Sequence, residues 1–355
     1  MTSTSFSCKC LLIFTVAISV LLSIGYLVKI QRFHPVSRFR PMPRPYTSLA
    51  QADCTLPLGV YRAWNQGVVT VMKPEITKNC PLLFQGESSE VDRIKKENEA
   101  WNSAEFDKVF NDWAMSDNCE KIRSEFMGNF YTTKEELEFP LAFSMNIHDN
   151  PQQIFRFLKV IYRPHNLYCL HYDQKASDRM KKITDNIAKC LDNVIVPQKI
   201  INVVYRCYSI MEAQLNCMKE LYNARSPSYP WKYTISLCGK ELPLRTNREI
   251  VHMLKRLNGT SGLPQHSIPK DQLHERFTNK HVIGPNNDCQ RTNTKLGPAP
   301  YGVEIRKSLA YFSLTPEFVH FLLNNKTALD LYKYMKGASN SEEHYFGTVY
   351  WMKGK

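Results

Sequence analysis

Leu167-Tyr168-Cys169-Leu170-His171-Tyr172-Asp173 is a short, mostly apolar run that closes on a carboxylate. It reads as a strand from Leu167 to Tyr172 ending at Asp173. Before it, Phe139-Pro140-Leu141-Ala142-Phe143-Ser144-Met145-Asn146-Ile147 reads as a second strand. Between the two, Gln152 to Tyr162 carries Ile154, Phe155, Leu158 and Ile161 at helical spacing. After it, the pattern predicts a helix over Ala176 to Leu191, a strand at Val194-Ile195-Val196 and a longer helix over Tyr208 to Tyr222. Trp231 to Leu237 is a further strand, stopping at Cys238-Gly239. Asn247 is the expected cap of a helix running to about Leu257, and Thr315-Pro316-Glu317 reads as a cap followed by proline at the first helical position. Strands alternating with helices predict an α/β fold around a mostly parallel sheet. Residues 260 to 300 show no clear period and are expected to form a long loop. There is no internal repeat.

In such sheets ligands sit outside the carboxyl ends of the strands, which is where Asp173 falls. An acid there can accept hydrogen bonds from a base or a ribose. It can equally cap the following helix, and spacing alone leaves both roles open. The chain has 355 residues, enough for one large domain or two small ones, and 34 Pro plus Gly exclude a disordered or collagenous chain. Net charge is +13, but six of the 46 basic residues precede Asp53 with no acid among them, leaving 40 against 33 in the remainder. That mildly basic body suits an anionic ligand. No dense Lys/Arg stripe interleaved with aromatics points to nucleic acid.

Leu11 to Val28 is an uncharged, mostly apolar run bracketed by Lys9 and Lys29. As a helix it would extend about 27 Å, close to the thickness of a bilayer core. It is read as a transmembrane signal-anchor after a cytosolic tail of residues 1–10; a cleaved signal peptide is the competing reading, with a small-x-small site at Ser23-Ile24-Gly25. Residues 29–64 hold Pro35, Pro41, Pro43, Pro45 and Pro57 and read as a stem, with the luminal domain at 65–355. The flanking charges by themselves favour the opposite orientation. Two signals outweigh them. Nine cysteines follow the apolar run, scattered without the close pairs of a zinc site, as disulfides in an oxidising compartment would be. Sequons stand at Asn258-Gly259-Thr260 and Asn325-Lys326-Thr327.

Tyr168-Cys169-Leu170-His171-Tyr172-Asp173-Gln174-Lys175, Leu215 to Tyr222 and above all Trp231 to Asn247, with Ser236-Leu237-Cys238-Gly239-Lys240-Glu241-Leu242-Pro243 at its centre, resemble the core-2/I-branching β-1,6-N-acetylglucosaminyltransferases, a family that includes the peptide O-xylosyltransferases. The resemblance runs from about Cys80 to the C-terminus. It implies a Golgi type II membrane protein with a GT-A-like nucleotide-sugar transferase fold. It implies an inverting enzyme that uses a UDP-sugar donor, needs no metal or other cofactor, and acts on a glycan or glycoprotein acceptor. Independently, no Asp-x-Asp occurs in the chain, the usual divalent-ion clamp of nucleotide-sugar transferases.

Position by position, the resemblance makes Asp173 and Tyr205 contacts to the uridine part of the donor. Asn146 stands at a further donor contact but differs in type. Glu343, in Ser341-Glu342-Glu343-His344, matches the catalytic base, and Arg276 an acceptor-binding arginine. Pro264 replaces an acceptor-contacting acid. Cys169 pairs with Cys217 and Cys119 with Cys190 by the same match, Cys238 is a free thiol, and Cys54, Cys80, Cys207 and Cys289 are left without assigned partners. By spacing alone, Asn340-x-x-Glu343 is also a capping box; Ser339-x-x-Glu342 is another, which would assign Glu342 to capping and leave Glu343 for a cleft. Family members continue well past the position of Lys355 with basic residues that neutralise the leaving diphosphate, so the 355-residue form is expected to be inactive or impaired. The alternative is a catalytically inactive relative that binds glycans or a partner enzyme. Donor sugar, acceptor and oligomeric state are not decided by these residues.

Overall fold

The computed structural model describes residues 85–100, 103–127 and 132–354. The apolar run Leu11 to Val28, the stem, Cys54 and Cys80 lie outside them. Among the described residues no helix is long and apolar enough to cross a membrane. The chain divides into two units, Met1–Asn102 and Ser103–Lys355. In the first, the described element is helix α1 (Ser88–Ala100).

The second unit opens with α2 (Ser103–Ala114), α3 (Cys119–Phe126) and the short α4 (Lys134–Leu137). An alternating run follows: β1 (Leu141–Ile147), α5 (Pro151–Ile161), β2 (Leu167–Tyr172), α6 (Asp178–Cys190), β3 (Val194–Ile195), α7 (Ser209–Asn223), β4 (Tyr233–Cys238) and α8 (Asn247–Lys255). The five-stranded sheet has the order β3-β2-β1-β4 with β9 (Ser313–Leu314) at the edge. The first four strands are parallel and β9 is antiparallel. The chain therefore steps outward from β1 in one direction to β2 and β3, then crosses to β4 on its other side. Such a reversal opens a crevice at the carboxyl ends of the strands.

Alternation along each strand builds two cores. Leu141, Phe143, Met145 and Ile147 of β1, with Tyr168 and Leu170 of β2, pack under α2, α3, α5, α6 and α8. Ala142, Leu167 and Cys169 point the other way, into a core shared with α7, α10 (Pro316–Asn324), α11 (Lys326–Met335) and α12 (Tyr345–Lys353). Both faces are covered, so the strands read as nearly continuous apolar runs. Gly239 ends β4 where α5 crosses it: a Cβ there would lie 2.9 Å from Ile154 Cγ1. The free space left by glycine lets the two elements meet at the mouth of the crevice.

Strand and helix positions follow the expected alternation to within about two residues, the usual uncertainty of element ends. Two readings are corrected. Asn247 is not a cap. Thr246 caps α8, accepting from Glu249 N–H while Glu249 accepts from Thr246 N–H. Asn247 instead is buried, its Nδ2 donating to Glu136 at 2.8 Å and its Oδ1 accepting from Asn166 at 3.0 Å. Asn166 in turn accepts from Leu141 N–H at 2.8 Å, so this polar chain sets where β1 begins. The stretch 260 to 300 is not a loop: it holds β5 (Gln265–Ser267), α9 (Lys270–Phe277), β6 (Asn279–Ile283) and β7 (Cys289–Lys295). β6 and β7 form a hairpin, and β5 pairs with β8 (Arg306–Ser308), so partners far along the chain create elements that local periodicity does not mark.

Candidate functional site

Asp173 follows β2 directly, and its N–H donates to Ile147 O at 3.0 Å, continuing the ladder with β1. Its Oδ1 accepts from Lys175 N–H at 2.9 Å and from Val203 N–H at 3.4 Å. Lys175 Nζ lies 2.9 Å from Oδ2 and also donates to Val203 O at 2.7 Å. Asp173 thus closes a turn and grips the loop after β3. That loop carries Tyr205, which is 79% exposed and so free to meet a ligand. The next residue, Arg206, is left-handed with φ 66° and accepts from Asn340 N–H at 2.7 Å through its carbonyl.

Asn340 is also left-handed and starts the 3-10 turn Ser341–Glu343. Neither capping box forms, because no side chain caps this turn. Glu342 is therefore not a capping residue. It is buried with Oε2 unpartnered, and burial, helped by the charge of Glu343, pushes its carboxyl up to about 7. Glu343 is the partly exposed member of the pair. Its Oε2 accepts from Arg276 Nη1 at 2.6 Å and lies 3.7 Å from Lys307 Nζ. Among the described residues nothing donates to Oε1. Ser308 Oγ donates to the Glu343 carbonyl at 3.2 Å. Gly347 lets α12 approach β8 closely enough for this, since a Cβ there would lie 2.8 Å from Ser308 Cβ.

His344 completes the turn. It is buried, and burial holds its imidazole down to about 4, so the ring is neutral at physiological pH. Nδ1 sits 3.1 Å from Arg306 O and Nε2 2.9 Å from Arg276 Nη1. A carbonyl can only accept and a guanidinium can only donate, which assigns the proton to Nδ1. His344 therefore orients Arg276 toward Glu343. Arg276 Nε remains buried without a partner.

The structure brings Asp173, the Tyr205 loop, Arg276 and Glu343 along one continuous rim, linked through Val203, Arg206 and Asn340. Asn146 is the penultimate residue of β1. It faces His171 and Cys238 in register on β2 and β4, and its Oδ1 is buried and unpartnered. Cys238 is the free thiol among the described cysteines; burial pushes it up. Cys119–Cys190 and Cys169–Cys217 are disulfides, and Cys207–Cys289 is a third. Asn258 and Asn325 lie away from the rim, after α8 and before α11. Sequence reasoning missed Lys175, Lys307, His344 and the third disulfide. Lys175 carried a signal, standing two residues after Asp173; Lys307 had none, since β8 reaches Glu343 only through long-range pairing.

A family model for the core-2/I-branching enzymes matches residues 141–355. The chain belongs to that family. It is 32% identical over 288 residues to the human β-1,3-galactosyl-O-glycosyl-glycoprotein β-1,6-N-acetylglucosaminyltransferase 3, covering 78% of this chain and 63% of that protein. With a second human β-1,3-galactosyl-O-glycosyl-glycoprotein β-1,6-N-acetylglucosaminyltransferase it shares 31% over 284 residues, 78% of this chain and 64% of the relative. The mouse transferase 4 is 34% identical over 222 residues, 61% of this chain and 48% of its own length. The chain thus spans less than two thirds of these relatives.

Proposed function

We propose that the chain is the GT-A-like part of a Golgi membrane glycosyltransferase that moves N-acetylglucosamine from its UDP conjugate to a hydroxyl of an O-glycan or glycoprotein. The relatives' names supply the sugar and the acceptor class. Asp173 and Tyr205 hold the uridine part of the donor outside the carboxyl end of β2, and Asn146, near the end of β1, is a further donor contact. Arg276 holds the acceptor. Glu343 takes the proton from the attacking hydroxyl through Oε1 while that oxygen closes on the anomeric carbon from the face opposite UDP. One displacement inverts the anomeric centre. The absence of an Asp-x-Asp from the chain supports a reaction that uses no metal.

The observation that carries this reading is the two-sided environment of Glu343. Its Oε2 is immobilised by Arg276 and Lys307 while Oε1 is left open, the geometry of a base fixed in place with one lone pair to use. Transfer of labelled sugar to a β-1,3-galactosyl O-glycan, measured with and without EDTA in a form that carries the family's basic C-terminal segment, tests it. Glu343→Gln is expected to lower transfer by about 10²–10⁴-fold, the usual contribution of a positioned base, with UDP binding unchanged. EDTA should leave transfer intact. UDP binding without transfer by a form that carries the family's basic C-terminal segment would favour the non-catalytic alternative, and full transfer by Glu343→Gln in that form would exclude the assigned base.

A further inference from the structure

Residues 201–207 have no helix or strand of their own, and Tyr205 at their tip buries almost nothing. Buried Val204 anchors the base of the segment, but packing does not hold the Tyr205 side chain. Polar ties hold the segment at its inner edges: Val203 to Asp173 and Lys175, and Arg206 O to Asn340 N–H. On its outer side it meets the β6–β7 hairpin twice. Asn202 Nδ2 donates to Asn287 Oδ1 at 2.6 Å, and fully buried Cys207 is bonded to Cys289, the first residue of β7. The hairpin is itself docked, since His281 N–H donates to Gly337 O at 2.8 Å, just before the turn that presents Glu343. Arg206, next to the bonded cysteine, keeps a left-handed conformation that non-glycine residues adopt only when their surroundings enforce it.

We propose that the Cys207–Cys289 disulfide is a positioning device for the donor. It fixes Tyr205 in its binding pose before the nucleotide arrives. The proposal rests on the reading of Asp173 and Tyr205 as donor contacts. A loop ordered in advance does not have to be ordered on binding, so the staple acts on donor affinity and not on the chemical step. It belongs to neither of the pairings that the family resemblance implies.

The test compares UDP affinity by calorimetry, in four forms of the full chain, with donor KM and kcat for transfer in the same four forms extended by the family's basic C-terminal segment. Cys207→Ala with Cys289→Ala removes the bond without burying a hydroxyl. It is expected to weaken UDP binding and raise donor KM about tenfold, equivalent to roughly 1.4 kcal/mol, while kcat at saturating donor stays within about twofold. Asn287→Gly removes the second tie at a position whose φ of 57° suits glycine, and should shift both constants the same way by a smaller factor. Cys119→Ser with Cys190→Ser removes a disulfide elsewhere; it should lower the melting temperature and leave UDP affinity alone. Native UDP affinity and KM in the alanine pair, or in Asn287→Gly should the pair not fold, overturn the positioning role. Failure of the native chain to bind UDP overturns the donor reading itself, and the staple proposal with it.

Discussion

Glu342 and Glu343 are neighbours in sequence and meet opposite surroundings. Glu343 is ion-paired and partly exposed; Glu342 is buried, and its carboxyl is pushed up to about 7 from an ordinary 4.5. Between those two values the native state holds a proton that the unfolded chain has released. Stability must therefore fall as pH rises through that window. Burial raises Glu241 to about 7 as well, which adds to the same slope. His344 works against it, because a buried imidazole held down to about 4 loses stability as pH falls below its ordinary 6.5. Glu342→Gln keeps the neutral shape and removes one titration. Its melting temperature, compared with the native chain, should improve from about pH 4.5 to about pH 7 and level off above that. A difference that is flat across that range would show that Glu342 does not bind a proton in the fold. Asp173→Asn tests the other end of the rim. It removes the charge opposite Lys175 and weakens an acceptor for the ribose, so UDP affinity should fall about tenfold or more, as loss of a hydrogen bond to a charged group does. Native affinity in that variant would remove Asp173 from the donor site. At this scale the sequence misled on Glu342, where a capping pattern was real in spacing but Asn340 starts a 3-10 turn with left-handed geometry.

At the scale of elements, what was legible depended on whether the signal was local. β2 matches its expected bounds, Leu167 to Tyr172, because both of its faces are buried and the apolar run is unbroken. The same holds for α5, whose Ile154, Phe155, Leu158 and Ile161 are all buried. β7 was invisible for the converse reason: Cys289-Gln290-Arg291-Thr292-Asn293-Thr294-Lys295 is polar along its length and mostly exposed, and exists by pairing with β6. The rim shares this division. Asp173 and Glu343 stand in recognisable local motifs, whereas Lys307 reaches Glu343 through β8, which is ordered by β5 and α12. The disulfides are similarly long-range. Cys119–Cys190 joins the first residue of α3 to the last of α6 across 71 residues, on the face of the sheet away from α7. Removing it with Cys119→Ser and Cys190→Ser should cost about 2–5 kcal/mol in denaturant unfolding. A loss well below that range would mean that α3 is held without the bond, by the packing of Ile122 and Phe126, the Arg123 hydrogen bond to Cys190 O and the Glu125–Lys159 ion pair.

At the scale of the molecule, the membrane-anchored, luminal topology proposed from Leu11 to Val28 and the cysteines makes both sequons available to the glycosylation machinery. Their settings differ. Asn258 is exposed in a left-handed turn after α8, and Asn325 caps α11, its Oδ1 accepting from Thr327 N–H at 2.9 Å. A glycan is attached through the amide nitrogen, so the cap can persist in the modified protein. Replacing Asn325 itself would confuse two effects, since loss of an N-cap alone costs about 1 kcal/mol. Thr327→Ala destroys that sequon and keeps the cap. Asn258→Asp destroys the other and keeps a residue that tolerates the left-handed turn. Expressed in cells, the native chain should lose apparent mass on endoglycosidase treatment and be protected from protease in sealed microsomes. Each single variant should run one glycan lighter, and the pair should no longer respond to the enzyme. The melting temperature of Thr327→Ala should stay close to native, which separates glycan loss from helix damage. An unmodified, protease-accessible native chain would place the rim, its three disulfides and the proposed donor site on the wrong side of the membrane for a luminal transferase.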